Sequence, residues 1–155
     1  MLNRFERFSF AMFEISRCWH KLAGEEMLRY GLKGPHAVYL VTLAQYPEGI
    51  TAAQLSELCG RDKADVSRAM ATMIEKGLVL RECGDRVYRA SLSLSESGKA
   101  AALQVCKRAA LAVEYAGQGF NDRQRQVFYD VLDTITDNLQ KLSRDGLPEA
   151  EKEEA

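Results

Sequence analysis

Apolar residues recur along the chain in two rhythms, and their order predicts the architecture. From Met1 to about Tyr30, Phe5, Phe8, Met12, Ile15, Trp19 and Leu22 step by alternating threes and fours, the heptad seam of a helix that packs against another long helix. Gly31-Leu32-Lys33-Gly34-Pro35 interrupts the seam, and Pro35 suits the first turn of a second helix holding Val38, Tyr39, Val41 and Leu43. Pro47-Glu48-Gly49 closes that helix. Thr51-Ala52-Ala53-Gln54 is a capping box opening a third, with Leu55 and Leu58 expected on one face and Cys59-Gly60 ending it. Asp62 is the expected N-cap of a fourth helix, whose inner stripe is Val66, Met70, Met73 and Gly77, flanked by Ala69 and Ile74.

The rhythm then changes. Leu78 to Glu82 and Val87 to Leu94 alternate in the manner of strands, with Cys83-Gly84-Asp85 as the turn between them. Ser95 can cap a long helix in which Lys99, Leu103, Cys106, Ala110, Val113 and Gly117 step by fours and threes. Asn121-Asp122-Arg123-Gln124 is another capping box, ahead of Phe128, Val131, Leu132, Ile135, Leu139 and Leu142. The predicted fold class is mainly α with a small β-wing. It is a winged helix-turn-helix (34–95) between long N- and C-terminal helices (1–30 and 97–143), followed by an acidic, disordered tail (144–155). The end helices carry more apolar face than a small central domain can cover, so a homodimer joined through them is expected, with an intramolecular helical bundle as the alternative.

Composition changes this picture little: 155 residues, 46% hydrophobic and 28% charged, fit one globular domain. No apolar run approaches a membrane span, and the first residues lack the pattern of a signal peptide, so a cytoplasmic protein with no membrane partner is expected. Charge matters more. The formal net charge is −1, which by itself argues against nucleic acid. From Arg61 to Arg108, however, ten basic residues face six acidic ones, a surplus of four that leaves the rest of the chain at −5. A basic middle in an acidic frame fits a protein that presents one face to DNA.

The outer face of the fourth helix sharpens that reading. It holds Ala64, Asp65, Ser67, Arg68, Ala71 and Thr72, short side chains around one forked donor, which can lie deep in a major groove. Arg68 suits a guanine edge, Asp65 and Ser67 are short enough to meet bases or backbone, and Lys63 suits a phosphate. Thr51 and Arg61 complete the candidate contacts of the helical pair. On the hairpin, Arg81, Arg86 and Arg89 are placed for a minor groove or flanking phosphates. An amphipathic helix with an idle outer face is the alternative.

Gly60-Arg61-Asp62-Lys63-Ala64-Asp65-Val66-Ser67-Arg68, Glu75-Lys76-Gly77-Leu78-Val79, the Asp85-Arg86 pair and Leu94-Ser95-Glu96-Ser97-Gly98 together resemble the core of the MarR family of bacterial transcription regulators. The resemblance spans nearly the whole chain, since the flanking helices match in number and order. Val87 stands where the family commonly has a second arginine, with Arg89 two residues on, so both Arg86 and Arg89 remain candidates for the groove. The resemblance implies a sequence-specific repressor that binds a pseudo-palindromic operator in double-stranded DNA as a homodimer and is released by a small aromatic or amphipathic effector. Candidates to line an effector pocket are Met12, Phe13, Trp19, His20, His36, Tyr39 and Tyr46, apolar surfaces with a few polar handles. It also raises cysteine-based redox sensing, for which Cys18 is the candidate, although it lies further along the helix than the family's peroxide-sensing position.

The four cysteines (Cys18, Cys59, Cys83, Cys106) show no metal-ligand spacing, and neither a metal nor a cofactor is expected. There is no glycine-rich phosphate loop, nucleophile elbow or spaced histidine pair, so no enzyme is expected. A winged-helix adaptor that binds protein instead of DNA is the alternative function.

Overall fold

The computed structural model describes residues 3–82 and 90–148. In chain order these form α1 (Arg4–Met27), α2 (Ala37–Ala44), β1 (Ile50–Thr51), α3 (Ala52–Cys59), α4 (Lys63–Glu75), β2 (Val79–Glu82), β3 (Ser91–Leu94), α5 (Glu96–Ala116) and α6 (Asp122–Asp145), with single 3-10 turns at Leu28–Tyr30 and Gly34–His36. The chain divides in sequence after Ala112 into two compact units.

The first unit is the winged helix-turn-helix with its two long helices. Asn3 opens α1 by accepting from the Glu6 amide while the Glu6 carboxylate accepts from the Asn3 amide, a capping box present in the sequence as Asn-x-x-Glu. Gly31 ends the following turn, and Pro35 stands within the 3-10 turn that leads into α2. The α3 cap forms as expected: the Gln54 amide donates to the Thr51 hydroxyl at 3.2 Å and the Thr51 amide to Gln54 Oε1 at 2.9 Å. At the turn between α3 and α4, Gly60 takes φ 59°, ψ 36°, a left-handed conformation that a side chain disfavours. Ser56, buried, donates through its hydroxyl to the Arg61 carbonyl at 2.5 Å, and the Arg61 amide donates to the Ser56 carbonyl at 3.1 Å. These bonds set the angle at which α4 leaves α3.

The core lies where α2, α3, α4, the sheet and the first turns of α5 converge. Tyr39, Leu40 and Leu43 from α2, Leu55 from α3, Val66, Met70 and Met73 from α4, and Leu92 from β3 are all at or below 2% exposure. Leu58, expected beside Leu55, is 51% exposed instead. The helix is only two turns long, and one apolar contact per turn suffices to seat it.

The sheet has three strands, not the two of a simple hairpin. β1 joins antiparallel on the far side of β3, giving the order β1-β3-β2 with Ile50 opposite Leu92 and Val79 opposite Leu94. A strand of two residues is too short to show a period, which hid β1 in the sequence. The expected turn Cys83-Gly84-Asp85 and the strand residues 87–89 lie outside the described residues.

On α5 the seam read from the sequence is the outward one, and a second face is buried. The stripe Lys99, Leu103, Cys106 and Ala110 faces outward, and the buried face is Gly98, Ala101, Ala102 and Val105. Small residues line it because the helix start sits almost on the backbone of the Gly77-Leu78 corner. The Ser95 hydroxyl, which accepts from the Gly98 amide at 3.0 Å, donates to the Gly77 carbonyl at 2.6 Å, and the Ser97 hydroxyl donates to the same carbonyl at 2.9 Å. Further along, Arg108 reaches Glu26 of α1 at 3.6 Å, and Arg29 reaches the same carboxylate oxygen at 3.4 Å.

The second unit holds the end of α5 and α6. Asn121 caps α6 as expected, its side chain accepting from the Gln124 amide at 2.9 Å. Arg125 pairs with Glu114 at 3.8 Å, and Phe120 packs on Phe128 with ring centroids 6.1 Å apart. No α6 residue is buried. The helix continues to Asp145, two residues past the boundary drawn at 143, so Arg144 and Asp145 are helical and not part of a tail. The tail residues 149–155 lie outside the described residues.

Candidate nucleic-acid interface

α4 presents the surface that the sequence marked. Its inner stripe is fixed by Val66, Ala69, Met70 and Met73, which leaves Lys63, Ala64, Asp65, Ser67, Arg68 and Ala71 exposed. Asp62 anchors the start, its carboxylate accepting from the Ala64 amide at 2.6 Å and the Asp65 amide at 3.4 Å. A negative cap at the positive end of the helix dipole stabilises this helix by about 1 kcal/mol. The burial of one face therefore dictates which residues are offered on the other.

Arg68 is tied to Asp65 one turn earlier, Nη2 to Oδ1 at 3.0 Å, and its carbonyl accepts from the Thr72 hydroxyl at 3.1 Å. Arg61, in the turn before α4, and Arg81, on β2, are both exposed. Thr51 has a different place. Its hydroxyl accepts from the Gln54 amide and donates to Gln54 Oε1 at 3.0 Å, so its polar capacity is engaged in capping α3. Arg86 and Arg89, the other wing candidates, lie outside the described residues. Ser56, absent from the expected set, holds the turn between α3 and α4 through its bond to the Arg61 carbonyl. A serine inside a short helix carries no distinctive sequence signal.

The residues named for an effector pocket do not share one environment. Met12, Phe13, Trp19 and His20 are exposed on α1, with His20 Nδ1 2.6 Å from the Ser16 carbonyl. Tyr39 is core at 2% exposure, where burial raises its phenol above the usual value, and Tyr46 packs partly against that core. Its burial makes Tyr39 a packing residue; an aromatic at helical spacing reads the same whether it lines a pocket or fills a core.

His36 is half-buried beside Tyr39, with ring centroids 6.3 Å apart, and its Nδ1 is buried without a hydrogen-bond partner among the described residues. Burial holds its imidazole below the ordinary value of 6.5, the charge of Lys33 adds to this, and Asp65 opposes it. The fold thus favours neutral His36, and the stability this gives is present above about pH 6.5 and is lost as pH falls through the lowered value. Melting temperature should drop on acidification below about pH 6.5, and His36→Asn should remove that part of the drop.

Cys18 is exposed on α1, 3.7 Å from Glu14 Oε1. Arg17 Nη2 lies 3.9 Å from the same sulfur. Among the described residues no cluster of three metal-ligating side chains occurs, and no helix is long and apolar enough to cross a membrane.

Fold and site define a winged helix-turn-helix with long terminal helices, and comparison with known proteins bears out the family resemblance. The MarR family model matches residues 30–86. Among solved structures, a MarR transcriptional regulator from Methanosarcina mazei is 25% identical over 92% of this chain and 94% of its own, with a TM-score of 0.79. A MarR family regulator from Listeria monocytogenes, crystallised with a 26mer DNA, is 17% identical over 97% of this chain and 100% of its own, TM-score 0.76. A MarR protein from Peptoclostridium difficile gives 19% identity, coverage of 91% and 94%, and TM-score 0.80. No curated protein matches the sequence. The chain therefore has the fold of the MarR-family transcriptional regulators.

Proposed function

We propose that this protein is a sequence-specific DNA-binding transcription regulator that acts as a homodimer on a pseudo-palindromic operator. The observation that carries the reading is the outer face of α4. Short side chains flank Arg68 on α4, and Lys63, Arg61 and Arg81 are exposed as well. A long, charged outer face would keep a helix off the base edges, and this one admits close approach. The Listeria protein of the same fold, crystallised with DNA, supports DNA binding.

The homodimer is supported by apolar side chains left uncovered within each unit: Phe5, Ile15 and Trp19 on α1, and Val127, Val131 and Leu139 on α6. A dimer sets two recognition helices about 34 Å apart, one turn of DNA. Repression by occupying the operator, and release by a small aromatic or amphipathic molecule, complete the proposal. His36 Nδ1, buried without a hydrogen-bond partner among the described residues, supports a polar handle for such a molecule.

Selection of bound fragments from a random DNA pool tests the reading and yields the half-site spacing. Arg68→Ala should cost about 1–3 kcal/mol per half-site and change the ranking of single-base operator variants. Replacing Lys63 or Arg81 should weaken binding to all variants together and flatten its salt dependence. An Arg68→Ala protein with wild-type affinity and ranking would favour the adaptor function instead.

A further inference from the structure

We propose that Asp65 is a positioning residue for base recognition: its carboxylate holds Arg68 Nη2 so that the remaining guanidinium edge meets a guanine in a fixed orientation. The inference rests on the DNA-reading role of α4 proposed above. The two residues are one helical turn apart, with Nη2 3.0 Å from Oδ1. Their side chains are 70% and 52% exposed, and an ion pair so open to water adds little to stability. Helix capping does not need Asp65 either, because Asp62 already receives the Ala64 and Asp65 amides.

On a surface that faces phosphates, a carboxylate is a repulsive charge and weakens binding to any duplex. Asp65 thus contributes little to the fold and opposes non-specific association, which leaves its partner's geometry as its use. The chemistry suits the task. A guanidinium has five N–H donors in a rigid plane, and giving one to Asp65 leaves enough for both acceptors on the guanine major-groove edge. A free arginine would sample many rotamers over that edge, whereas one tethered at Nη2 loses less freedom on binding.

The test compares wild type, Asp65→Ala, Asp65→Asn, Arg68→Ala and the Asp65→Ala/Arg68→Ala double variant. Each is measured on a panel of single-base operator variants at two salt concentrations, with a melting curve. Asp65→Ala should lower discrimination at the guanine position about tenfold while affinity for random duplex rises. Asp65→Asn, whose amide oxygen still accepts from Nη2, should recover part of the ranking, and the double variant should rank operators as Arg68→Ala does. Three results overturn the proposal: Asp65→Ala strengthening all duplexes with ranking intact, additive effects in the double variant, or uniform weakening with a lower melting temperature. A wild type that selects no sequence from a random pool removes the DNA-reading role and this inference with it. A selective wild type whose ranking survives Asp65→Ala removes the inference alone.

Discussion

Gly98→Ala is expected to lower the melting temperature sharply, although the same substitution in an open helix would raise it. A Cβ built on Gly98 would lie 2.0 Å from the Leu78 carbonyl oxygen and 3.3 Å from Leu94 Cβ. That oxygen cannot retreat cheaply, because it accepts from the Ser95 amide at 3.0 Å and lies 3.2 Å from the Ser95 hydroxyl. Relief requires shifting the start of α5 away from β2, which breaks those bonds and opens the small-residue face formed by Ala101, Ala102 and Val105. Overpacking of this kind costs about 3 kcal/mol or more, a large share of a stability of about 5–15 kcal/mol. The melting temperature should fall by about 10 °C. Gly24→Ala on α1 is the control, since a Cβ there meets nothing within 4 Å, and it should stabilise by about 1 kcal/mol. Calorimetry on both variants decides the matter, and a Gly98→Ala protein at least as stable as wild type would remove the close approach from the account.

The same corner shows how far the sequence could be read and where it stopped. Lys76-Gly77-Leu78 and Leu94-Ser95-Glu96-Ser97-Gly98 are separate short motifs in the sequence, and nothing in either reveals that they touch. The contact is long-range, made of hydroxyls and a carbonyl, and periodicity reports only which way a side chain faces. α4 is legible because its signals are local: Asp62 caps it, and Val66, Met70 and Met73 repeat at helical spacing over about two turns. The outer face follows by subtraction. The inner face of α5 is not legible because it is built largely from Gly98, Ala101 and Ala102, small residues that give no apolar period, whereas Leu103 and Cys106 give one and lie on the uncovered side. Ser56 and β1 escaped for related reasons, one being a single polar residue inside a helix and the other two residues long. Within the candidate site, charge and size single out Lys63, Ser67 and Arg68 as candidates, whereas the bond between Asp65 and Arg68 is visible only in the fold.

Leu139→Asp is expected to abolish tight operator binding without touching a DNA-facing residue. α6 carries Phe128, Val131, Leu132, Ile135, Leu139 and Leu142 along one stripe, and Leu139 is 46% exposed in the single chain. Burying such side chains against a second copy is favourable at about 25 cal/mol per Å² of apolar surface removed from water. A carboxylate placed in that seam has no partner, and its desolvation costs several kcal/mol, about what a modest interface gains in total. The expected product is a folded monomer. Each monomer keeps Arg68 and Lys63 on an intact α4, so half-site contacts survive, but the second head is no longer held near the DNA by the first. Loss of that effective concentration should lower operator affinity by about a hundredfold or more. Gln140→Asp adds the same charge about a third of a turn around the helix, off the stripe, and should leave assembly unchanged. Light scattering and operator titration on the same samples separate the possibilities. A wild type that is monomeric at micromolar concentration, or a Leu139→Asp protein that stays dimeric with full affinity, would place the exposed stripe of α6 outside any dimer interface.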